Sequence, residues 1–463
     1  MQTQGRGWRK ASLRLALFSI LTGSLGCAGP SPYAEPRFPF RTSYEGRAGA
    51  PVLLANTDWW KQLKDPTFDA VVNQALSGSL SLALARERVI EAEATARTVP
   101  EEVSLNGTLR AGRAGGASGD ETITEANIGL SWLLDPFGGR RSEEEAALGR
   151  VQVAEAEVSA ARLLLLRELG SAYVDLRFYQ RLLALRGEDI ARRRKTLVLT
   201  QQLADARDAT RIDILRSEAQ VAEIEAQIPA LHAAVRKQKD RIAVLSGVQP
   251  GELGIDLDAR PVQPRPRLSP DVGIPADLLR NRPDIRIAER RYYAAVADVG
   301  AARADLYPKL SISGAIVLAG IGAGGGAEYF FGPNVGLPAL PGAPDQARFE
   351  ARSSVARQAQ ITWKSTVLDA ILEVQSALAD YAASTTAVHA SERTVRLRRE
   401  TLDLTGDLLA SDGATISDLI DAETDIADAE AMLAENLRAI GDSFVLLNVT
   451  LGSGSSMPAL STP

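Results

Sequence analysis

Two segments of this chain, Val103–Leu134 and Leu310–Leu337, are strand hairpins with one oily and one polar face. In the first strand Val103, Leu105, Gly107 and Leu109 alternate with Ser104, Asn106, Thr108 and Arg110. In the next, Ala126, Ile128, Leu130, Trp132 and Leu134 form the apolar row. Strands of about ten residues with this alternation suit a membrane β-barrel with a watery lumen. Two hairpins give only four strands, whereas the smallest membrane barrels have about eight. A four-stranded sheet in lipid leaves edge amides unpaired, each costing several kcal/mol. Closure therefore requires further copies of the chain.

The rest of the sequence is helical in character. Of 463 residues, 45% are hydrophobic but only 5% aromatic, a profile of long helices rather than an aromatic-cored enzyme. From about Arg141 to Leu203 there is no proline and only three glycines, enough for a rod of roughly 95 Å if continuous. A break at Ala204–Thr210 precedes a helix from Arg211 to about Ser246, in which Pro229 should bend the rod or mark a local defect. The plan then repeats. A helix starts near Pro283, a hairpin follows, a long helix spans about Asp345–Asp407, and a last one runs from Thr415 to about Val449. An earlier helix is expected over 66–98, entered through Asp65-Pro66.

The duplication holds at a constant offset of 205 residues: Arg194, Thr196, Leu197 and Leu203 recur as Arg399, Thr401, Leu402 and Leu408. Ala209-Thr210, Asp213, Glu218 and Glu225 recur as Ala414-Thr415, Asp418, Glu423 and Glu430. Ile214, Val221, Ile228, Val235 and Ile242 are spaced by seven, as are Leu419, Ile426, Leu433, Ile440 and Leu447. A seven-residue apolar repeat keeps one seam against a partner helix and imposes a left-handed supercoil.

The N-terminus is a processing segment. Arg6, Arg9, Lys10 and Arg14 precede a short apolar stretch, Leu15–Leu25, which ends in Gly26-Cys27. The pattern resembles a bacterial lipoprotein signal, with acylation expected at Cys27, the chain's one cysteine. Formal charge is −6, and nothing suggests a nucleic-acid partner. The expected organisation is a signal peptide over 1–26, a lipid-anchored tether over 27–65 and a first repeat over 66–248. A linker over 249–282, a second repeat over 283–451 and a tail over 452–463 complete it.

Several ordered motifs carry a family resemblance. Asp58-Trp59-Trp60 is followed by Asp65-Pro66, and Ser131-Trp132-Leu133-Leu134-Asp135 by Phe137-Gly138. Asn281-Arg282-Pro283-Asp284-Ile285-Arg286 leads to Tyr307-Pro308-Lys309-Leu310. Together they resemble the TolC-like outer-membrane efflux channels, in the lipoprotein branch often labelled NodT-type. The resemblance implies a mainly α fold with a small β part, in which a long antiparallel coiled-coil α-barrel stands below a β-barrel. Each protomer of a homotrimer would contribute four strands to a 12-stranded β-barrel in outer-membrane lipid of a Gram-negative bacterium. It implies a passive exit duct opened by a periplasmic adaptor and an inner-membrane pump, with no cofactor. Pro333, in the last strand, would occupy a ladder position that needs no donor.

The resemblance also places a periplasmic gate at Asp418 and Asp421, three residues apart on one helix face. In a trimer they would supply six carboxylates, which raise one another's pKa and attract cations. The alternative is two solvated carboxylates favoured by the helix dipole. In the first-half turn, Arg216 stands where the repeat has Asp421; Arg207, Arg211 and Arg216, beside Asp213, could pair with second-turn acids as a tip latch. Such exposed pairs contribute only about 0–1 kcal/mol each, which suits a contact that must open.

No catalytic constellation is visible. His232 and His389 have no metal-ligand spacing, no metal is expected, and Gly322–Gly326 joins two strands instead of opening a helix, as an outer loop would. A pore-less periplasmic coiled-coil lipoprotein scaffold is the rival reading, with hairpins that stay out of lipid.

Overall fold

The computed structural model describes residues 37–39, 58–99, 101–116, 119–259, 261–266, 278–321, 324–338, 343–411 and 413–455. Cys27 and the leader lie outside the described residues. The chain divides into two compact units: Met1–Arg37, Glu91–Gln152 and Glu289–Ile361 form one, and Phe38–Ile90, Val153–Ala288 and Thr362–Pro463 the other.

The first unit holds the sheet. Strands β1 (Val103–Gly116), β2 (Gly119–Leu134), β3 (Lys309–Ile321) and β4 (Gly324–Gly336) pair antiparallel in the order β1-β2-β3-β4. The two hairpins are therefore one sheet, with β1 and β4 at its edges. Both hairpins run further than the glycines suggested. Ala111–Gly116 pair with Gly119–Thr124 despite their glycines, and Gly324–Gly326 pair with Ala319–Ile321 instead of looping. Antiparallel pairing needs only backbone amides, so a missing side chain does not end the ladder.

Register gives the sheet two unlike faces. Val103, Trp132, Ile312 and Pro333 are successive cross-strand partners, as are Leu109, Ala126, Leu318 and Ala327. Leu105, Ile128, Ile316, Tyr329 and Phe331 share that face and are exposed. From Ala327 to Val335 the row extends about 26 Å at ~3.3 Å per residue, close to the roughly 25 Å apolar band of outer-membrane barrels.

The motif Asp135-Pro136-Phe137-Gly138 makes the joint from β2 into α3 (Gly139–Asp205). Asp135 accepts the first-turn amides of Gly139 at 2.7 Å and Arg141 at 3.0 Å. Gly138 takes a φ of +73°, and Phe137 stacks on Tyr307 at 4.6 Å. Tyr307-Pro308 is the reverse joint, from α6 (Pro283–Ala304) into β3. Two separated sequence motifs thus form one stacked contact.

In the second unit, Asp65 caps α1 (Pro66–Gly78) by accepting from Thr67 and Phe68. The single helix expected over 66–98 is in fact two, because Ser79 turns out before α2 (Leu80–Ala96). The cause is a close approach: a Cβ on Gly78 would lie 2.5 Å from the Ser246 carbonyl oxygen. Helix α4 (Arg211–Leu245) runs through Pro229, which does not end it. After the four-residue α5 (Leu278–Asn281) and α6, the second repeat supplies α7 (Ala343–Ala410) and α8 (Ile416–Thr450). Trp59, Phe68, Tyr173, Trp363 and Phe444 centre the core.

Buried arginines tie the helices to their connections. Arg177 is fully buried and donates to Tyr173, Gln180 and the Leu257 and Ala259 carbonyls. Arg282 grips Asp284 with two nitrogens, reaches Glu373 at 2.7 Å and donates to the Thr450 carbonyl at 2.8 Å. It thereby satisfies a carbonyl that the end of α8 leaves free.

Candidate functional site: the two helical turns

Helices α3 and α4 form one antiparallel hairpin, α7 and α8 the other, and their turns share a closing bond and a capping box. Asp208 N–H donates to the Leu203 carbonyl and Gly413 N–H to the Leu408 carbonyl, both at 2.8 Å. Thr210 and Thr415 are N-caps in capping boxes, with φ/ψ of −102°/163° and −101°/162°. The Thr210 hydroxyl donates to Asp213 at 2.6 Å, and the Thr415 hydroxyl to Asp418 at 2.7 Å.

These bonds involve Asp418, one residue of the expected gate. Within one chain the Thr415 hydroxyl and amide hold the Asp418 carboxyl below its ordinary value; the mutual raising expected of six carboxylates belongs to a trimer. Asp213 is held down in the same way by Thr210, with Arg216 adding to the effect. Asp418 and Asp421 are both exposed, Asp421 one turn into α8. Arg207, Arg211 and Arg216 are exposed as well and make no ion pair within the chain among the described residues. Arg207 has a φ of +69°, the left-handed conformation that a glycine would take at a helix C-terminus.

Behind the turns lies a polar seam that the sequence reading did not isolate. Thr196 of α3 donates to Glu423 of α8 at 2.6 Å, and Arg193 reaches Thr424 at 3.2 Å. Arg192 approaches Asp189 and Glu430 at 3.5 and 3.8 Å. Burial pushes the Glu423 carboxyl up, although Thr196, Arg193 and Arg192 oppose it. One oxygen each of Asp189, Glu423 and Glu430 lacks a hydrogen-bond partner among the described residues. Their spacing on α3 and α8 offered no signal, because Glu218, the repeat partner of Glu423, is exposed.

Helix α8 carries two buried faces for a reason. It contacts α7 through Arg399–Glu430 and Asn436–Ser391, and α3 through Thr196–Glu423. The heptad residues Ile426, Ile440 and Leu447 are buried, but so are Ala434, Leu437 and Phe444 on other faces. Gly170 and Gly441 let α3 and α8 approach closely; a Cβ on Gly170 would meet Val445 at 2.8 Å.

Among the described residues no group of three or more His, Cys, Asp or Glu could hold a metal ion, and no helix is long and apolar enough to cross a membrane. The apolar sheet is the element built for lipid.

Comparison with known proteins agrees. The family described as "Outer membrane efflux protein" matches residues 274–453. Nodulation protein T of Rhizobium leguminosarum bv. trifolii is 33% identical over 452 residues, covering 94% of this chain and 96% of the relative. This chain belongs to the outer membrane efflux protein family. The outer-membrane channel OprN superposes with a TM-score of 0.84 at 28% identity, over 93% of this chain and all of that one. The pyoverdine export outer membrane protein OpmQ of Pseudomonas aeruginosa is 27% identical, with 86% of this chain and 87% of the relative covered. The protein is thus an efflux channel of the outer membrane, with a channel fold rather than an enzyme's, and the pore-less scaffold is set aside.

Proposed function

We propose that three copies form a passive exit duct, opened from the periplasm by an adaptor and an inner-membrane pump. The observation that carries this reading is the sheet: a continuous apolar face whose edges, β1 and β4, have no partner strand among the described residues. Pairing β4 of one copy with β1 of the next would satisfy both edges and give a 12-stranded barrel, with the polar face inward. Acylation of Cys27 would add a lipid anchor.

The gate is assigned to Asp418 and Asp421, six carboxylates in the trimer around the mouth of the helical barrel. Asp418 stays ionised through its Thr415 hydrogen bonds, which suits a cation-selective constriction. Arg207, Arg211 and Arg216 carry charge at the other turn, and Asp213 fixes that turn through its capping box. Pairing of these arginines with second-turn acids of a neighbouring copy would close the tips. An adaptor that binds the open arrangement better would shift the population towards it.

Single-channel conductance of the full-length protein, beside the Asp418→Ala/Asp421→Ala double variant, tests the assignment. A small cation-preferring conductance that grows or loses selectivity in the variant is expected. Identical conductance in both would discard the gate residues, and failure of both to conduct after confirmed insertion would discard the duct.

A further inference from the structure

The polar face of the sheet carries one aromatic side chain among the described residues. Cross-strand register puts Asn106, Gly129, Ala315 and Phe330 on one line of that face, and Thr108, Asn127, Val317 and Glu328 on the next. Trp132, Tyr329 and Phe331 all belong to the opposite, apolar face. Phe330 is 59% exposed, so filling the protein interior does not explain it. Its ring lies beside Gly332, where a Cβ would sit 3.3 Å from the ring tip; the glycine leaves room for the ring on this face.

Glu328 stands two residues away on the same strand and face, about 6.6 Å along it. Charges elsewhere on the face are balanced or distant. Arg110 is the direct cross-strand partner of Glu125, and Lys309, at the other end, pairs with Asp305 at 2.9 Å. Glu328 faces Val317 and makes no ion pair among the described residues. An exposed ring face and an uncompensated carboxylate at this spacing match a solute that is both aromatic and positively charged. The carboxylate attracts the charge at range, and the ring offers stacking and cation–π contact.

We infer that Phe330 and Glu328 form a contact site for aromatic organic cations on the lumen face of the β-barrel. The inference rests on the trimeric duct reading, in which this face lines the passage and three copies of the site face one another. Aliphatic cations of equal charge would meet the carboxylate but gain little from the ring.

The test uses the full-length protein in planar bilayers, with tetraphenylphosphonium as the aromatic probe and tetraethylammonium as the aliphatic one. Phe330→Leu and Glu328→Gln should each raise the half-blocking concentration of tetraphenylphosphonium about two- to five-fold. Phe330→Trp should keep it at or below the wild-type value, and tetraethylammonium block should be indifferent to Phe330→Leu. The Asp418→Ala/Asp421→Ala background should retain the Phe330 dependence, which separates this site from the tips. Channels that conduct but are blocked identically with Phe330 or Leu overturn the site while leaving the duct intact. Absence of any conductance overturns the duct itself, and the site with it.

Discussion

Arg399 donates to the buried carboxylate of Glu430 at 2.5 Å, joining α7 to α8. The same bond joins α3 to α4 205 residues earlier, where Arg194 donates to Glu225 at 2.6 Å. The preceding arginines repeat as well: Arg193 binds Gln220, and Arg398 binds Asp425. The duplication is therefore one of contacts as well as residue types. Its halves differ in burial, because α8 packs on α3 as well as on α7, and this difference yields unequal responses to equivalent changes.

Close helix approach depends on particular glycines. Gly170→Ala should destabilise by about 1–3 kcal/mol, since the new methyl would press on Val445 at 2.8 Å. Gly187→Ala, on the same helix with nothing within 4 Å, should stabilise by up to about 1 kcal/mol. Thermal denaturation of the two variants in one detergent measures the contrast; shifts of equal sign would refute it.

The buried seam predicts a pH slope. Burial raises the native Glu423 pKa above the ordinary 4.5, so the native state binds more protons than the unfolded one just above that pH. Stability should accordingly fall as pH rises through this window. Glu423→Gln should flatten the slope, melt higher at pH 7, and converge with wild type below the ordinary value. Asp213 and Asp418, both depressed from 3.8, act only at lower pH, where they lose stability as they protonate. Parallel melting profiles of wild type and Glu423→Gln between pH 4.5 and 7 would contradict the seam's role.

How much of this was legible follows from what each feature depends on. The 205-residue register, the heptad rows and the strand alternation are local or periodic, and Thr210, Thr415 and the long helices lie where those patterns put them. The break at Ser79 was not legible because it is imposed by Ser246 and Gly247, far along the chain. The extra strand length in the Gly-rich segments came from backbone pairing, which composition does not report. The capping bond that Thr415 makes to Asp418 is local chemistry that the sequence reading did not add to its gate expectation. Glu423 and Glu430 were recognised as repeated positions, but nothing in a repeat shows that only the second copy is buried.

Arg282 is the most connected residue of the second repeat's start. Arg282→Ala removes its bonds to Asp284, Glu373 and the Thr450 carbonyl at once. The two carboxylates are partly solvated, so the cost should be about 2–3 kcal/mol rather than that of a fully buried pair. Arg282→Lys should recover only part of it, because an ammonium cannot reproduce the fork. A lowered midpoint in Ala with a partial rescue in Lys is the expected order; Lys equal to Arg would show that charge alone suffices.

The central claim is that the edges β1 and β4 meet between copies. Disulfide scanning tests it most directly: a cysteine at Tyr329 in β4 is combined in turn with one at each position from Val103 to Gly112 in β1. The account predicts covalent species up to three chains, with crosslinking efficiency alternating at a period of two residues along β1. Crosslinks confined to dimers, or no crosslinks at any β1 position in membrane-inserted protein, would contradict it.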